Sequence, residues 1–310
     1  MERKLFNYLC NHRNTISGVE KTYEKNCLFP LNNYIADSIY EEAKKYTNVA
    51  QLKWTVHGKT DVNCTLKVYF IDEEYPADKM YNLIECLSFI LSFAKQNHPL
   101  TVHFVPLNHK KCIEIGNTHI DKSNINSGAC GGGHAYIWRL EECLKVLFHE
   151  CIHHLGFSNL QLSPELLTHY QNKYNLCSSL INHNESYTEI WARILYCYYL
   201  SKQSLPSFLS ALKKEKAFSL YQANKVIQLS HGNDLDKHTN VTAYYIITAE
   251  LMQQLDHFLQ FCSQNNDSFF YVLEQPPVDQ FIIDLQKLRK KKINTTDTNY
   301  TTMRMVKQDL

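Results

Sequence analysis

The sequence predicts an α+β protein whose first part contains a small sheet and whose remaining part is mostly helical. Two observations lead to this prediction. Between Gln51 and Arg139, short segments of strand-like alternation enclose one segment with helical periodicity. From Leu140 onward, apolar residues recur with the 3.6-residue period of a helix in nearly every segment.

These periods define the individual elements. In chain order, the predicted elements of the first part are the strands Leu52–His57 and Thr65–Ile71, the helix Asp78–Ala94, and the strands Thr101–Pro106 and Ala135–Trp138. The predicted helices of the second part are Glu141–Leu155, Pro164–Tyr174, Glu185–Leu200, Pro206–Leu229 and Val241–Cys262. No internal repeat or low-complexity linker divides the chain. We therefore assign a mixed N-terminal region to residues 1–139, a helical region to 140–286, and a basic, polar and exposed tail to 287–310.

The composition of the 310-residue chain is that of a globular protein. Hydrophobic residues make up 44%, and only 9 Gly and 8 Pro are present, which excludes disordered and collagen-like chains. The net charge of +1 creates no overall field that would favour nucleic acids or anionic membranes. The apolar stretches reach about half of the ~20 residues that a bilayer span requires, and the N-terminus lacks the apolar core of a secretory signal.

The eleven cysteines include no Cys-x-x-Cys pair, and their number is odd. This pattern indicates reduced thiols rather than a disulfide framework. We therefore expect an intracellular, cytoplasmic protein that does not bind membranes.

The Gly-rich segment Asn126–His134 lacks the residues of a phosphate-binding loop. Its composition is typical of a mobile loop. The stretch Gly128–Trp138 is also the natural place for an edge strand that pairs with an extended peptide substrate, because glycines allow another backbone to approach closely. A plain flexible connection explains the same composition, so both interpretations stay open at this point.

A His-Glu-x-x-His sequence is formed by His149, Glu150 and His153. On a helix, the two histidines stand one turn apart on the same face, so both imidazoles can bind one Zn²⁺ ion. Glu150 is adjacent and can act as a general base on water at the metal. The opposite side of the helix carries an apolar stripe of Leu144, Leu147, Phe148, Cys151 and Leu155. A catalytic zinc site needs one more protein ligand and an open position.

Two carboxylates further along the chain are candidates for that third ligand. Glu185 and Glu189 share one face of a predicted helix with the small residues Thr188 and Ala192. That face becomes apolar toward the C-terminal end of the helix. Acidic side chains that point toward a core are costly unless they are paired or bound to a metal, and zinc would neutralise that cost.

Together these motifs resemble the gluzincins, a class of zinc metallopeptidases whose second helix carries a ligand Glu, a small residue three positions on and an acidic or amide residue four positions on. Asn126-Ser-Gly128, Ile137-Trp-Arg139 and Tyr187-x-Glu189-x-Trp-Ala are also similar to an uncharacterised family of metallopeptidases encoded by large DNA viruses. The resemblance implies a zincin-like fold and a Zn²⁺ cofactor held by His149, His153 and Glu185. It makes Glu150 the general base and acid, and Glu189 an acceptor for the ring N–H of a ligand histidine. For a viral protein, the expected location is the host cytoplasm.

Two other ligand assignments stay open. Glu189 could bind the metal in place of Glu185, because Glu189-Ile-Trp-Ala192 also resembles the Glu-Gly-Phe-Ala form of other gluzincins. The extension of the histidine motif through Gly156 to Asn159 comes close to the metzincin pattern, but Asn159 is a poor zinc ligand and no Met-turn follows. His154 lies 100° round the helix from His153 and is expected to face solvent or to support a ligand.

The predicted function is zinc-dependent hydrolysis of peptide bonds, with a peptide or protein as the substrate. A further donor should stabilise the oxyanion, and the candidates are Tyr187, His231, Tyr244 and Tyr245. A catalytically silent zinc protein that serves as an interaction module is the alternative, although the presence of Glu150 favours an enzyme. Nucleic-acid binding through Lys290–Lys292 is less favoured, because such a run is usually a solvated surface. The sequence predicts neither the substrate nor the oligomeric state.

Overall fold

The computed structural model describes residues 1–12, 14–71, 77–116, 119–157, 160–230, 232–264 and 277–308. Within these ranges the chain has eleven α-helices, one π-helical segment and one six-stranded mixed sheet. The predicted α+β class is therefore confirmed. The chain forms two compact units, each built from more than one stretch of sequence.

The unit that contains the sheet comprises Cys10–Lys110 and Asn126–Leu155. Its elements are β1 (Thr15–Glu24), α2 (Asp37–Ala43), β2 (Asn48–His57), β3 (Asp61–Phe70), α3 (Ala77–Leu91), β4 (Leu100–Phe104), β5 (Gly128–Gly131), β6 (His134–Ile137) and α5 (Cys143–His154). The strand order is β1-β2-β3-β4-β6-β5. Strand β4 runs parallel to β3 and β6, and the other neighbours are antiparallel.

The two faces of the sheet are covered by different elements, since side chains alternate along each strand. On one face, Trp54 of β2 donates a 3.1 Å hydrogen bond from Nε1 to Ser88 of α3, and α5 packs against α3, β5 and β6. On the other face, Val49 lies opposite Tyr69. These two residues join a buried cluster with Phe29 and residues of α2. The sheet is thus enclosed where it supports α5, and β5 is its edge strand.

The second unit comprises Met1–Leu9, Lys111–Ile125 and Gly156–Asp309 and is helical among its described residues. Its elements are α1 (Glu2–Asn11, of which residues 2–9 belong to this unit), α4 (Lys122–Ile125), α6 (Pro164–Tyr174), α7 (His183–Leu200), α8 (Leu205–Leu229), a π-helix (Thr242–Ile247), α9 (Thr248–Gln253), α10 (Leu255–Ser263) and α11 (Pro277–Ile283). Helices α6 and α8 begin with a Ser cap followed by Pro in the first turn, a favourable start for a helix. Helix α7 packs against α8, α9 and the π-helix.

The prediction of one continuous helix over Val241–Cys262 is wrong. The first part is π-helical, and Thr248 donates a 2.8 Å hydrogen bond from its hydroxyl to the carbonyl of Ala243, five residues earlier. Gln254 then leaves the helical conformation, with φ −111° and ψ 34°, and separates α9 from α10. Hydrophobic periodicity does not reveal these changes, because the apolar residues on both sides of Gln254 remain buried.

The expectation that residues 287–310 form an exposed tail is also wrong for their apolar side chains. The buried ones are Leu288, Ile293, Tyr300, Met303, Met305 and Val306. This C-terminal segment, residues 288–306, contains turns and bends but no regular helix or strand, and polar side chains of α8 bond its backbone. Asn224 bonds the carbonyl of Arg289 and the N–H of Lys291, and Gln228 bonds both backbone groups of Ile293. The four basic side chains of Arg289–Lys292 are exposed, as predicted.

Two further observations bear on the sequence predictions. Among the described residues, no helix combines the length and the hydropathy that a bilayer span requires. All eleven cysteines are free thiols.

Candidate metal centre

Helix α5 holds both histidines of the His-Glu-x-x-His motif. The Nε2 atoms of His149 and His153 lie 3.2 Å apart, and their ring centroids are 4.8 Å apart. Two nitrogens that each lie about 2.0–2.1 Å from one tetrahedral zinc ion would be separated by about 3.4 Å. The two imidazoles therefore already have the spacing of two ligands of one metal ion.

The surroundings of α5 differ from the predicted amphipathic helix. Cys143–Ile152 are all buried, including Lys145, His149 and Glu150, so the apolar stripe is only one of several buried faces. The N-cap residue Glu142 is fully buried and adopts the left-handed conformation, with φ 59°, which is uncommon for a residue other than Gly. The sequence prediction begins the helix at Glu141, whereas α5 begins at Cys143.

The carboxylate of Glu150 lies against the edge strand. A Cβ atom placed on Gly128 of β5 would be 2.5 Å from Oε1 of Glu150. A side chain at position 128 would therefore push this carboxylate aside. Glu150 is buried, with 5% of its surface exposed. The general base predicted from the sequence is thus packed against backbone, and sequence reasoning missed this contact. The motif Asn126-Ser-Gly128 contains the residue concerned but does not indicate its partner.

The first turn of α7 presents Glu185. The adjacent Asn184 uses its side-chain amide to bond both backbone groups of Leu160, at 2.8 and 2.6 Å, and this pair fixes the start of the helix. His183, also in the first turn, is fully buried with Nε2 3.2 Å from Asp279 Oδ1. Burial lowers the pKa of His183, and the nearby Asp279 carboxylate opposes that shift.

Of the three zinc ligands that the sequence resemblance implies, the structure brings His149 and His153 together on α5. The third, Glu185, lies in the first turn of α7. Two imidazole nitrogens and a carboxylate oxygen are a donor set that suits zinc.

Glu189, the alternative third ligand, has a different environment. It is fully buried, and its Oε1 accepts a 2.8 Å hydrogen bond from Nε of Arg193. Arg193 donates further hydrogen bonds to the hydroxyl of Ser219, at 2.6 Å, and to the carbonyl of Tyr244, at 3.0 Å. Sequence reasoning did not identify Arg193 as this partner, although the i,i+4 spacing of Glu and Arg is a signal for it.

The candidate oxyanion donors have separate positions. Tyr245 is buried, and its hydroxyl donates a 2.5 Å hydrogen bond to the carbonyl of Met303. Tyr244 lies in the π-helix and is partly buried. Tyr187 is buried and packs its ring on Trp191 and Phe258. His231, the fourth candidate, lies outside the described residues, and so does Asn159 of the metzincin alternative.

The ring of His154 bonds a backbone carbonyl rather than a carboxylate or another imidazole. Its Nε2 lies 3.2 Å from the carbonyl oxygen of His98. Burial lowers its pKa, and the hydrogen bond to the His98 carbonyl opposes that shift.

Comparison of the chain with models of protein families, with curated proteins and with solved structures finds no match. The residues themselves must therefore carry any functional assignment.

Proposed function

We propose that this protein is a zinc-dependent peptidase of the gluzincin type, with a zincin-like arrangement of the sheet and α5. The observation that carries the proposal is the 3.2 Å separation of the Nε2 atoms of His149 and His153 on α5, which suits two ligands of one zinc ion. A glutamate next to the first histidine adds the general base that hydrolysis requires. A purely structural zinc site has four protein ligands and no need for such a base.

The donor set fits zinc in number and chemistry. His149 and His153 would supply Nε2 atoms, and Glu185 would supply a carboxylate oxygen, which leaves one position for water or substrate. When bound, zinc lowers the pKa of water toward roughly 7 and polarises a carbonyl oxygen. Neutral imidazoles are required for this role, and each ring can donate its other N–H to a supporting acceptor.

The protein's own residues would perform the proton transfers. Glu150 takes a proton from the attacking water as the water oxygen bonds to the peptide carbonyl carbon. Glu150 then gives this proton to the amine nitrogen as the C–N bond breaks, so the carboxylate is regenerated. Among the described residues, edge strand β5 has a strand partner on one side only, and an extended peptide can add to such an edge. A peptide or protein is therefore the proposed substrate, and no nucleic-acid or membrane role is proposed.

Metal content is the first test. Elemental analysis of the purified full chain is expected to find one zinc per chain and its loss in His149→Ala, His153→Ala and Glu185→Ala. His154→Ala is the matched control, since it removes a neighbouring imidazole of the same helix and should retain zinc. Absence of zinc in the wild-type chain after reconstitution would overturn the proposal.

Catalysis is the second test. Incubation of the zinc-loaded chain with an unfolded protein and with a mixed peptide library, followed by mass spectrometry, should give products with new N-termini. Glu150→Gln should retain zinc and lower kcat by about 10²–10⁴-fold, because the amide cannot accept the proton. Zinc binding without any cleavage would instead support a catalytically silent zinc protein.

A further inference from the structure

Gly128 lacks room for a side chain because of the carboxylate opposite it. An added Cβ would lie 2.5 Å from Glu150 Oε1, 3.0 Å from Glu150 Cδ and 2.6 Å from Val146 Cγ1. All three distances are far shorter than ordinary van der Waals contacts of about 3.5–4.0 Å. Gly128 is not among the glycines with positive φ, so any residue could adopt its backbone conformation. The requirement for glycine is therefore one of space.

The other glycines of this hairpin have different surroundings. Gly132 and Gly133 have φ of 58° and 78° and form the turn between β5 and β6. Gly131 has no atom within 4 Å of an added Cβ and no positive φ. Of the nine glycines in the chain, all of which the structure describes, only Gly128 meets an ionisable side chain. The contact with Glu150 is thus specific to one position of β5.

The backbone that leads into Gly128 is held in place from the other side. The carbonyl of Asn126 accepts hydrogen bonds from Trp138 Nε1, at 3.1 Å, and from Arg139 Nε, at 3.0 Å. Arg139 also donates to the carbonyl of Lys110 at 3.0 Å, and the carbonyl of Ser127 accepts from the N–H of Trp138 at 3.0 Å. Trp138 and Arg139 are fully buried. Because two large buried side chains hold this backbone, β5 cannot retreat to make room for a larger residue.

We propose that Gly128 is a positioning residue for Glu150, and that Trp138 and Arg139 keep it in place. The inference rests on the proposed function and adds how the general base is oriented. A carboxylate beside a mobile backbone would sample several directions, whereas this one lies against a fixed Cα. Misplacement of a catalytic group by about 1 Å can cost about 10²-fold in rate, so a methyl group at position 128 should affect proton transfer rather than metal binding.

Kinetics provide the direct test. Gly128→Ala is expected to lower kcat by 10-fold to 100-fold while zinc content stays at one per chain and KM changes little. Glu150→Asp, whose carboxylate is one methylene shorter, should lower kcat in the wild-type chain. In the Gly128→Ala chain the same change should restore part of the lost kcat, because it makes room for the methyl group. Wild-type kcat in Gly128→Ala, or no restoration by Glu150→Asp, would overturn the inference.

Thermal unfolding tests the contact without any activity. Gly128→Ala should lower Tm more in the wild-type chain than in a Val146→Ala/Glu150→Ala chain, where both clashing groups are truncated. Gly131→Ala is the matched control and should shift Tm equally in both backgrounds. If Gly128→Ala shifts Tm equally in the two backgrounds, the inference is overturned even if the chain proves to be a peptidase.

The two tests separate the inference from the proposed function. A wild-type chain without peptidase activity refutes the function, while the Tm comparison still decides the contact. If Gly128→Ala alone does not fold, recovery of folding in the Val146→Ala/Glu150→Ala background supports the inference. Failure to fold in that background also overturns it.

Discussion

Glu189 and Arg193 form a fully buried ion pair one turn apart on α7, with 2.8 Å between Oε1 and Nε. Removal of one partner leaves an uncompensated buried charge, which typically costs about 3–5 kcal/mol. We therefore expect Glu189→Ala to lower the free energy of unfolding by about that amount in urea titrations. Glu185, which is only partly buried, should give the opposite result on substitution by Ala: loss of zinc with a small change in the stability of the metal-free chain.

This comparison decides between the two carboxylates as third ligand. Both variants are measured for zinc content and for unfolding of the metal-free form, so that metal binding does not add to stability. Loss of zinc in Glu189→Ala with zinc retained in Glu185→Ala would reverse the assignment.

The buried side chain of His103 should make the stability of the sheet sensitive to acid. Its ring lies between Tyr69, whose hydroxyl is 2.9 Å from Nδ1, and His134, whose Nδ1 is 3.2 Å from Nε2. Burial lowers the pKa of His103 to about 4, and the neighbouring His134 and Lys67 act in the same direction. An unfolded histidine has a pKa of about 6.5. Between these values the unfolded chain binds more protons, so stability falls as the pH drops from 6.5 toward 4.

Between pH 6.5 and pH 4, the expected loss in the free energy of unfolding is about 2–3 kcal/mol. Urea titrations at several pH values should show that the free energy of unfolding declines less steeply with falling pH in His103→Gln than in the wild-type chain. His98→Gln is the control, because it removes an exposed imidazole. A decline of the same steepness in His103→Gln and the wild type would contradict the prediction.

The C-terminal segment over residues 288–306 should contribute strongly to stability. Its buried side chains include Met303 and Val306, both without exposed surface, and truncation of one buried Met to Ala typically costs about 2–5 kcal/mol. Met303→Ala should therefore lower the free energy of unfolding by an amount in this range. Lys290→Gln and Lys292→Gln alter exposed side chains of the same segment and should change it by less than about 0.5 kcal/mol. Equal effects of the three changes would show that the segment is not packed as described.

The elements with a clear hydrophobic period could be predicted from the sequence. Strands β2, β3, β4 and β6 and helices α5 to α8 lie within a few residues of their predicted bounds, because their apolar residues recur with the period of a strand or a helix. Strand β1 has no such signal: all ten of its residues are exposed, and it exists because β2 offers it a backbone ladder. The burial of the C-terminal segment over residues 288–306 could not be predicted for a related reason, since its backbone partners are side chains of α8.

The candidate site likewise has some features that the sequence predicts and others that depend on tertiary structure. The relation of His149, Glu150 and His153 depends only on helix geometry, so five residues of sequence predict it. The choice between Glu185 and Glu189 depends on tertiary neighbours, above all on Arg193 and Ser219. The role of Gly128 depends on the distance between β5 and α5, which no local pattern encodes.

The hydrogen bonds between side chains of α8 and the backbone of the C-terminal segment also constrain the order in which this unit can fold. Asn224 and Gln228 are turned toward backbone groups of residues 289–293, and Gln222 and Lys225 toward the carbonyl of Thr302. During synthesis, α8 leaves the ribosome well before those partners exist. Until then its inward amides and its buried lysine lack these partners, so the helix cannot reach its final packing. We expect this unit to complete its folding late, in one cooperative step that awaits the arrival of residues 288–306.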